Sequence, residues 1–163
     1  MHQAIRFTAI ATLIWSCPTF ADNFFDAGGY YIPEQEISVA GYRIDWISLE
    51  TVSYYNETLN YEQPKAVWPR AELLLTKAKN ESKRIYRFRN PTIKRKGVTL
   101  KSAATPLGTV VINGHFLDTR GMFWNQADIR AGETPVFEGT VVIVRNGNQI
   151  FSTPMRFVYY EGH

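Results

Sequence analysis

The stretch VVIVRNGNQIFS, residues 141–152, carries the strongest local structural signal in this chain. A β-branched run is followed by Asn146-Gly147 and a second apolar run, and both residues of this dipeptide tolerate the positive φ of a tight turn. The pattern predicts a β-hairpin over residues 136–160. Pro154 interrupts the returning arm, which predicts an edge or a bulge there because proline cannot donate a ladder hydrogen bond.

The segments that precede this hairpin also favour strands. Thr109–Ile112 is a β-branched run between two glycines, and residues 37–55 combine β-branched and aromatic residues with alternating polarity. The apolar positions change parity after Trp46, which predicts a bulge or a sharp bend in this strand. We expect the side chains of Trp46 and Trp68 in the core.

Residues 69–79 fit two structures. Apolar residues at helical spacing, with Pro69 in position for a first turn, allow a short helix. The alternative is a strand, a turn at residues 80–82 and a second strand over residues 83–88. We favour the strands, because no capping residue directly precedes Pro69 and the neighbouring segments are themselves strands.

The number and spacing of these short segments predict an all-β fold. We expect a two-sheet antiparallel sandwich with room for one short helix. The order of strands and turns over residues 37–160 resembles immunoglobulin-like sandwiches, although the chain lacks the buried disulfide of antibody domains. The expected organisation is a lead-in segment at residues 22–36, which follows a leader, and one sandwich domain at residues 37–163.

The first 21 residues have the pattern of a cleaved secretory signal peptide. Arg6 is followed by a mainly apolar run from Phe7 to Trp15, and Thr19-Phe20-Ala21 is a small-x-small cleavage site. We therefore expect a secreted or periplasmic protein. The alternative is a lipoprotein anchored through Cys17, the one cysteine of the chain. No later run reaches the length of a membrane span, so none is expected in the mature chain.

Catalytic motifs are missing from the sequence. It contains no Gly-x-Ser-x-Gly elbow and no phosphate-binding loop, and the predicted mature chain has no cysteine. His115 with Asp118 is a candidate acid–base or metal pair, but a single histidine at a strand end is more often structural. Carboxylates near strand ends are most simply read as solvated charges; they are Glu34, Glu36, Asp45 and Glu50. We expect no catalytic residue, metal site or cofactor.

Charge is unevenly distributed along the chain. Ten of the 15 acidic residues lie within residues 22–81, and ten basic residues lie within residues 77–101. On a strand, Arg87 and Arg89 share a face with Ile85, and basic side chains on a sheet bind anionic groups. The alternative is an edge strand kept soluble by charge. The basic residues assigned to a candidate binding site are Arg84, Arg87, Arg89, Lys94, Arg95 and Lys96.

A second candidate surface is aromatic. Phe123 and Trp124 lie between predicted strands, beside Gly121 and Asn125. Exposed aromatic side chains bind sugars and protein partners, whereas buried ones close the end of a sandwich. We include Phe123 and Trp124 in the candidate binding site, with the closing role as the alternative.

These features predict an exported, non-enzymatic interaction module that engages a protein partner in the cell envelope or outside the cell. The first alternative is binding of an anionic glycan or a lipid headgroup through residues 83–101. The second is a hydrolase of envelope polymer that uses a carboxylate pair or His115. Export makes a nucleic acid partner unexpected.

Overall fold

A computed structural model of the protein describes residues 27–53, 65–94, 96–117 and 134–160. This part of the chain contains strands and no helix. The strands are β1 (Gly29–Pro33), β2 (Ile37–Val39), β3 (Tyr42–Ser53), β4 (Lys65–Lys77), β5 (Ser82–Arg87), β6 (Thr92–Lys94), β7 (Gly97–Lys101), β8 (Thr109–Phe116), β9 (Pro135–Arg145) and β10 (Asn148–Tyr160). None of the described residues forms a helix with the length and apolar character to cross a membrane.

Hydrogen bonds join these strands into one curled antiparallel sheet, a half-barrel. The strand order is β5-β4-β3-β1-β10-β9-β8-β7-β6, and β2 pairs with β3 beside β1. The all-β class is therefore confirmed, and the helix considered for residues 69–79 is absent, since these residues lie in β4 and in the turn that leads to β5. The immunoglobulin-like two-sheet sandwich is not confirmed, because the pairing is continuous from β5 to β6.

The core fills the inside of the curl. Alternate residues of each strand point inward, as strand geometry requires, and the inward positions are almost entirely apolar. Tyr31 lies at the centre, fully buried, with its ring 5.9 Å from that of Phe116, 6.3 Å from Phe137 and 5.7 Å from Tyr159. Burial of each large apolar side chain stabilises the fold by about 1.5–3 kcal/mol, so this inner face holds the curl together.

Strand β1 lies in the middle of the sheet. Tyr31 is paired with Ile47 of β3 on one side and with Tyr159 of β10 on the other. The described part of the lead-in segment, residues 27–36, therefore contributes a central strand. The central place of β1 in the sheet could not be predicted from its own residues, because it depends on two pairing partners, one of which lies far away in the chain.

The hairpin of β9 and β10 has the predicted turn. Asn146 and Gly147 have φ values of 51° and 80°, as both central residues of a type I′ turn require. The predicted edge is also present, since β1 pairs only with the last residues of β10 and no described strand pairs with the outer side of Pro154.

The predicted bulge in β3 occurs at Asp45. The pairing with β4 shifts between Ile44 and Trp46, so both Ile44 and Ile47 point into the core. Trp46 points outward, and its ring meets that of Tyr30 edge to face at 5.0 Å. The expectation that Trp46 is a core residue is wrong, because the extra residue precedes it rather than follows it. The side chain of Trp68 lies outside the described residues.

Strands β8 and β9 approach each other closely where two glycines are paired. Gly114 lies opposite Gly139. A Cβ at Gly139 would lie 2.4 Å from the carbonyl oxygen of Asn113, and one at Gly114 would lie 2.8 Å from the ring of Phe137. Glycine is required at both positions because the backbones and the core ring occupy the space of a side chain.

Candidate functional site

The basic residues singled out in the sequence occupy a long stretch without opposing charge. From Ser82 to Leu117 the chain contains eight lysines and arginines and no aspartate or glutamate. This stretch forms β5, β6, β7 and β8. Any acidic neighbour must therefore come from another part of the fold.

The chain changes pairing partner at Phe88. The amide of Phe88 donates to the carbonyl of Ala71 at 2.9 Å, which continues the ladder with β4. The amide of Arg89 then donates to Lys101 at 2.8 Å, and Ala103 donates to the carbonyl of Arg87 at 2.9 Å. These two bonds flank the bridge between Phe88 and Ser102, which joins the end of β5 to the end of β7. Strand β5, at one end of the strand order, therefore meets the strand next to the other end.

We call the surface around this junction the basic seam. Its members are the exposed cations of β5, of the link between β5 and β6, and of the β6–β7 hairpin. They are Lys83, Arg84, Arg87, Arg89, Lys94, Lys96 and Lys101.

The side chains of β5 alternate as the sequence predicted. Phe88 is buried and Tyr86 is half-buried against the core, whereas Arg87 is exposed and Ile85 is 52% exposed. Lys83, Ile85 and Arg87 thus point away from the core, on the outer face of the curl. Arg89 continues this face beyond the junction, because Phe88 beside it points inward.

Among the described residues, most cations of the seam have no acidic partner within ion-pair distance. Arg87 lies 3.4 Å from a carboxylate oxygen of Glu72. Within the described ranges, no other member of the seam has an ion pair. Arg89 and Lys101 occupy opposing positions on the same face, and like charges directly opposite each other in a sheet are unfavourable. An anionic ligand would relieve this repulsion.

Five predicted site residues lie on the elements around the junction, and three lie outside the described part of the structure. Arg84, Arg87, Arg89, Lys94 and Lys96 are exposed members of the seam, but Arg84 pairs with the core residue Leu75 and so lies on the other face of β5 from Arg87. The other three candidates, Arg95, Phe123 and Trp124, fall outside the described residues.

The predicted site did not include Lys101 or Ile85. Lys101 ends a strand whose polar and apolar residues alternate, a pattern that does not distinguish it from other strand residues. Its position opposite Arg89 depends on the junction. Ile85 lies between Lys83 and Arg87 on the same face of a predicted strand, and this pattern could have placed it in the candidate site. An exposed isoleucine flanked by outward cations is unusual for a surface that serves solubility alone.

An apolar stripe crosses the outer face and ends at the seam. Tyr160 lies opposite Tyr30, the ring of Tyr30 contacts Trp46, and Trp46 lies opposite Leu74, which lies opposite Ile85. We call these five residues the outer stripe. Tyr30, Tyr160 and Ile85 are the exposed members, and the stripe spans β10, β1, β3, β4 and β5. Aromatic residues next to arginines are the typical composition of a protein–protein interface.

A groove beside the seam is internally neutralised. It is lined by residues of β1, β3, β4 and β5 and by Phe88, Asn90 and Pro91, which follow β5. Its four charged lining residues form two ion pairs, Glu50 with Arg70 at 4.0 Å and Glu72 with Arg87 at 3.4 Å. The groove therefore lacks the excess charge that distinguishes the seam.

Three of the four carboxylates considered for catalysis, Glu34, Asp45 and Glu50, lie within ion-pair distance of separate basic side chains. Glu34 accepts two hydrogen bonds from Arg156, at 2.9 and 3.1 Å. Asp45 accepts a hydrogen bond from Thr76 and another, at 2.6 Å, from Arg43. The hydrogen bond with Arg43, together with the charge of Asp45, raises the pKa of the Arg43 guanidinium. Pairing of this kind fixes the bulge and the sheet edge.

His115 has a different neighbour from the one expected. Its Nε2 atom lies 3.3 Å from a carboxylate oxygen of Glu138, on the outer face of β8 and β9. Asp118, the partner expected from the sequence, lies outside the described residues. No three histidine, cysteine, aspartate or glutamate side chains among the described residues are grouped to hold a metal ion.

The chain was compared with protein-family models, with curated proteins and with solved structures, and no match was found in any of the three comparisons.

Proposed function

We propose that this protein is a non-enzymatic binding module, exported by its leader, that engages an acidic protein partner through the basic seam. The observation that carries the proposal is the opposition of Arg89 and Lys101 in a region without acidic residues. Repulsion between them lowers the stability of the free protein. A ligand that supplies carboxylates converts this unfavourable contact into a favourable one.

The apolar surface beside the seam favours a protein partner over an anionic glycan or a lipid headgroup. Sulfates, phosphates and uronates need cations and hydrogen-bond donors, and Arg89 and Lys101 supply both. They do not need Ile85 or the outer stripe, which continues from the seam across the sheet. A protein partner uses both features, since its interface combines charged and apolar contacts.

Charge reversal tests the proposal. Arg89→Glu removes one attraction and adds one repulsion, so affinity for polyglutamate should fall by about fivefold or more at low salt. The matched control is Lys79→Glu, which makes the same charge change in the turn that precedes β5 and should leave affinity within about twofold. Binding of the unmodified protein should also weaken steeply as salt is added.

The alternative ligands are measured in the same experiment. Dextran sulfate represents an anionic glycan, and vesicles that contain phosphatidylglycerol represent a lipid surface. Tighter binding to either of these than to polyglutamate, with the same sensitivity at Arg89, would replace the acidic protein by that ligand. Equal effects of Arg89→Glu and Lys79→Glu on every probe would remove the seam as the site.

A further inference from the structure

We propose that the partner contributes an extended acidic segment, which adds to the sheet as a new antiparallel strand along β5. This inference rests on the proposed function for the acidity of the partner. It adds the conformation of the ligand, the atoms that bind it and the order of its side chains.

The backbone of β5 has an open hydrogen-bonding edge. Phe88 donates to Ala71 of β4, and the register then directs the amides and carbonyls of every second residue, including Tyr86, toward β4. The intervening residues, Lys83 and Ile85, direct theirs away from β4. No described strand pairs with that side of β5 before the carbonyl of Arg87, which accepts from Ala103. An incoming strand finds unpaired donors and acceptors there.

The charges of β5 select which strand can add. Exposed edges are guarded in natural proteins by charged side chains, most often lysine, that prevent pairing with other copies. If the β5 edges of two copies of this chain paired, Lys83, Arg84 and Arg87 of one copy would lie near the same cations of the other. An acidic segment is attracted at the same positions. The cations that disfavour self-association of β5 therefore also favour an acidic partner.

The positions along β5 specify the order of residues in an antiparallel partner. Carboxylates belong opposite Arg84 and Lys83, and apolar side chains opposite Tyr86 and Ile85. Ala103 already occupies the ladder position opposite Arg87, so the residue that precedes the paired run lies beyond the ladder, where a carboxylate can reach the exposed Arg87 side chain. The complementary pentapeptide therefore reads Glu-Val-Val-Glu-Glu. Its third residue lies opposite Ile85, which places an aliphatic contact at the most exposed apolar side chain of the strand.

Other open edges in the described part of the chain are less suitable. Strand β10 has one beside residues 148–155, but Pro154 removes a donor and the segment contains no charged side chain. Strands β2 and β6 have three residues each, too few for a stable addition. Strand β5 alone among these combines a continuous run of donors with charge selection.

The test uses acetylated and amidated Glu-Val-Val-Glu-Glu and two N-methylated forms, with binding measured by calorimetry. In the antiparallel register, the amide of the third residue faces the carbonyl of Ile85, and that of the second faces away. Methylation at the third residue should weaken binding by about fivefold to tenfold, because it removes a backbone hydrogen bond and adds a steric clash. Methylation at the second residue is the matched control and should change affinity by less than about twofold.

A protein variant tests the same edge from the other side. Ile85→Pro removes an amide that faces away from β4 and leaves the ladder with β4 intact, so the fold should be retained. It should reduce peptide affinity by about fivefold or more, whereas Ile85→Val should preserve it. The peptide experiment does not depend on whether the proline variant folds.

The outcomes separate this inference from the proposed function. If both methylated peptides bind as well as the parent, and Arg89→Glu still weakens all three, strand addition is refuted and the seam remains an acidic-ligand site. If neither the peptide nor polyglutamate binds, both proposals fail. Selective loss on methylation of the third residue supports strand addition.

Discussion

Reversing the charge of Lys101 should stabilise the fold while it weakens the binding of an acidic ligand. Lys101 lies opposite Arg89 across the junction, and both side chains are exposed on the outer face. Cross-strand charge pairs and exposed ion pairs each contribute about 0.2–1 kcal/mol. In Lys101→Glu a repulsion is removed and an attraction is gained, so the free energy of unfolding should rise by about 0.5–1.5 kcal/mol.

The assay is urea unfolding at low and at high salt. A stabilisation of this size corresponds to a rise in melting temperature of about 1–5 °C for a domain of this length, and it should shrink as salt screens the pair. The control, Lys96→Glu, makes the same charge change in the turn between β6 and β7 and should leave stability nearly unchanged. A double-mutant cycle with Arg89→Gln isolates the coupling between the two positions.

Two results would refute this reasoning. If Lys101→Glu lowers stability, or changes it no more than Lys96→Glu does, the opposed cations do not repel each other in the free protein. If stability rises but affinity for polyglutamate is unchanged, the repulsion is real and the ligand site lies elsewhere. Opposite changes in stability and affinity are the expected signature of residues arranged for binding at the expense of the fold.

Three further predictions concern the scaffold. Gly139→Ala places a Cβ against the backbone of β8 and should destabilise the protein by about 1–3 kcal/mol in urea unfolding, whereas Gly97→Ala, with open space around its Cβ, should cost less than about 1 kcal/mol. Tyr31→Phe removes a hydroxyl that donates to a buried carbonyl at 3.0 Å and should lower the free energy of unfolding by about 1–3 kcal/mol; an unchanged denaturation midpoint would contradict it. Gly147→Ala meets no atom within 4 Å, yet its φ of 80° should cost about 1–2 kcal/mol; a melting temperature equal to that of the unmodified protein would count against a strained turn.

Local chemistry was sufficient to predict the strands within residues 37–53, 69–88, 109–112 and 136–160 and the main hairpin, but not β1, β6 or β7. The positive φ values at Asn146 and Gly147 follow from residue type alone, and the alternation around Ile85 follows from strand geometry. The bulge in β3 was also visible as a change of parity. Its position was not, because it depends on the bonds that hold Asp45 to Arg43 and Thr76, a residue of the next strand.

Long-range pairing accounts for what the sequence did not reveal. The position of β1 between β3 and β10 depends on partners far away in the chain, and so does the curl of the sheet. The candidate basic residues were found because they are close in sequence. That Arg89 faces Lys101, and that the edge beside Ile85 is open, depends on the junction at Phe88, which no local pattern records.

Because the pairing partner changes at Phe88, residues 82–94 have two roles. They complete the curl of the sheet, and they carry most of the cations of the basic seam. A ligand that binds residues 82–94 therefore stabilises the whole curled sheet, and unfolding of the sheet releases the ligand. Ligand affinity and thermal stability are then linked in one thermodynamic cycle. A saturating ligand raises the melting temperature, and a variant with a destabilised sheet binds the ligand more weakly.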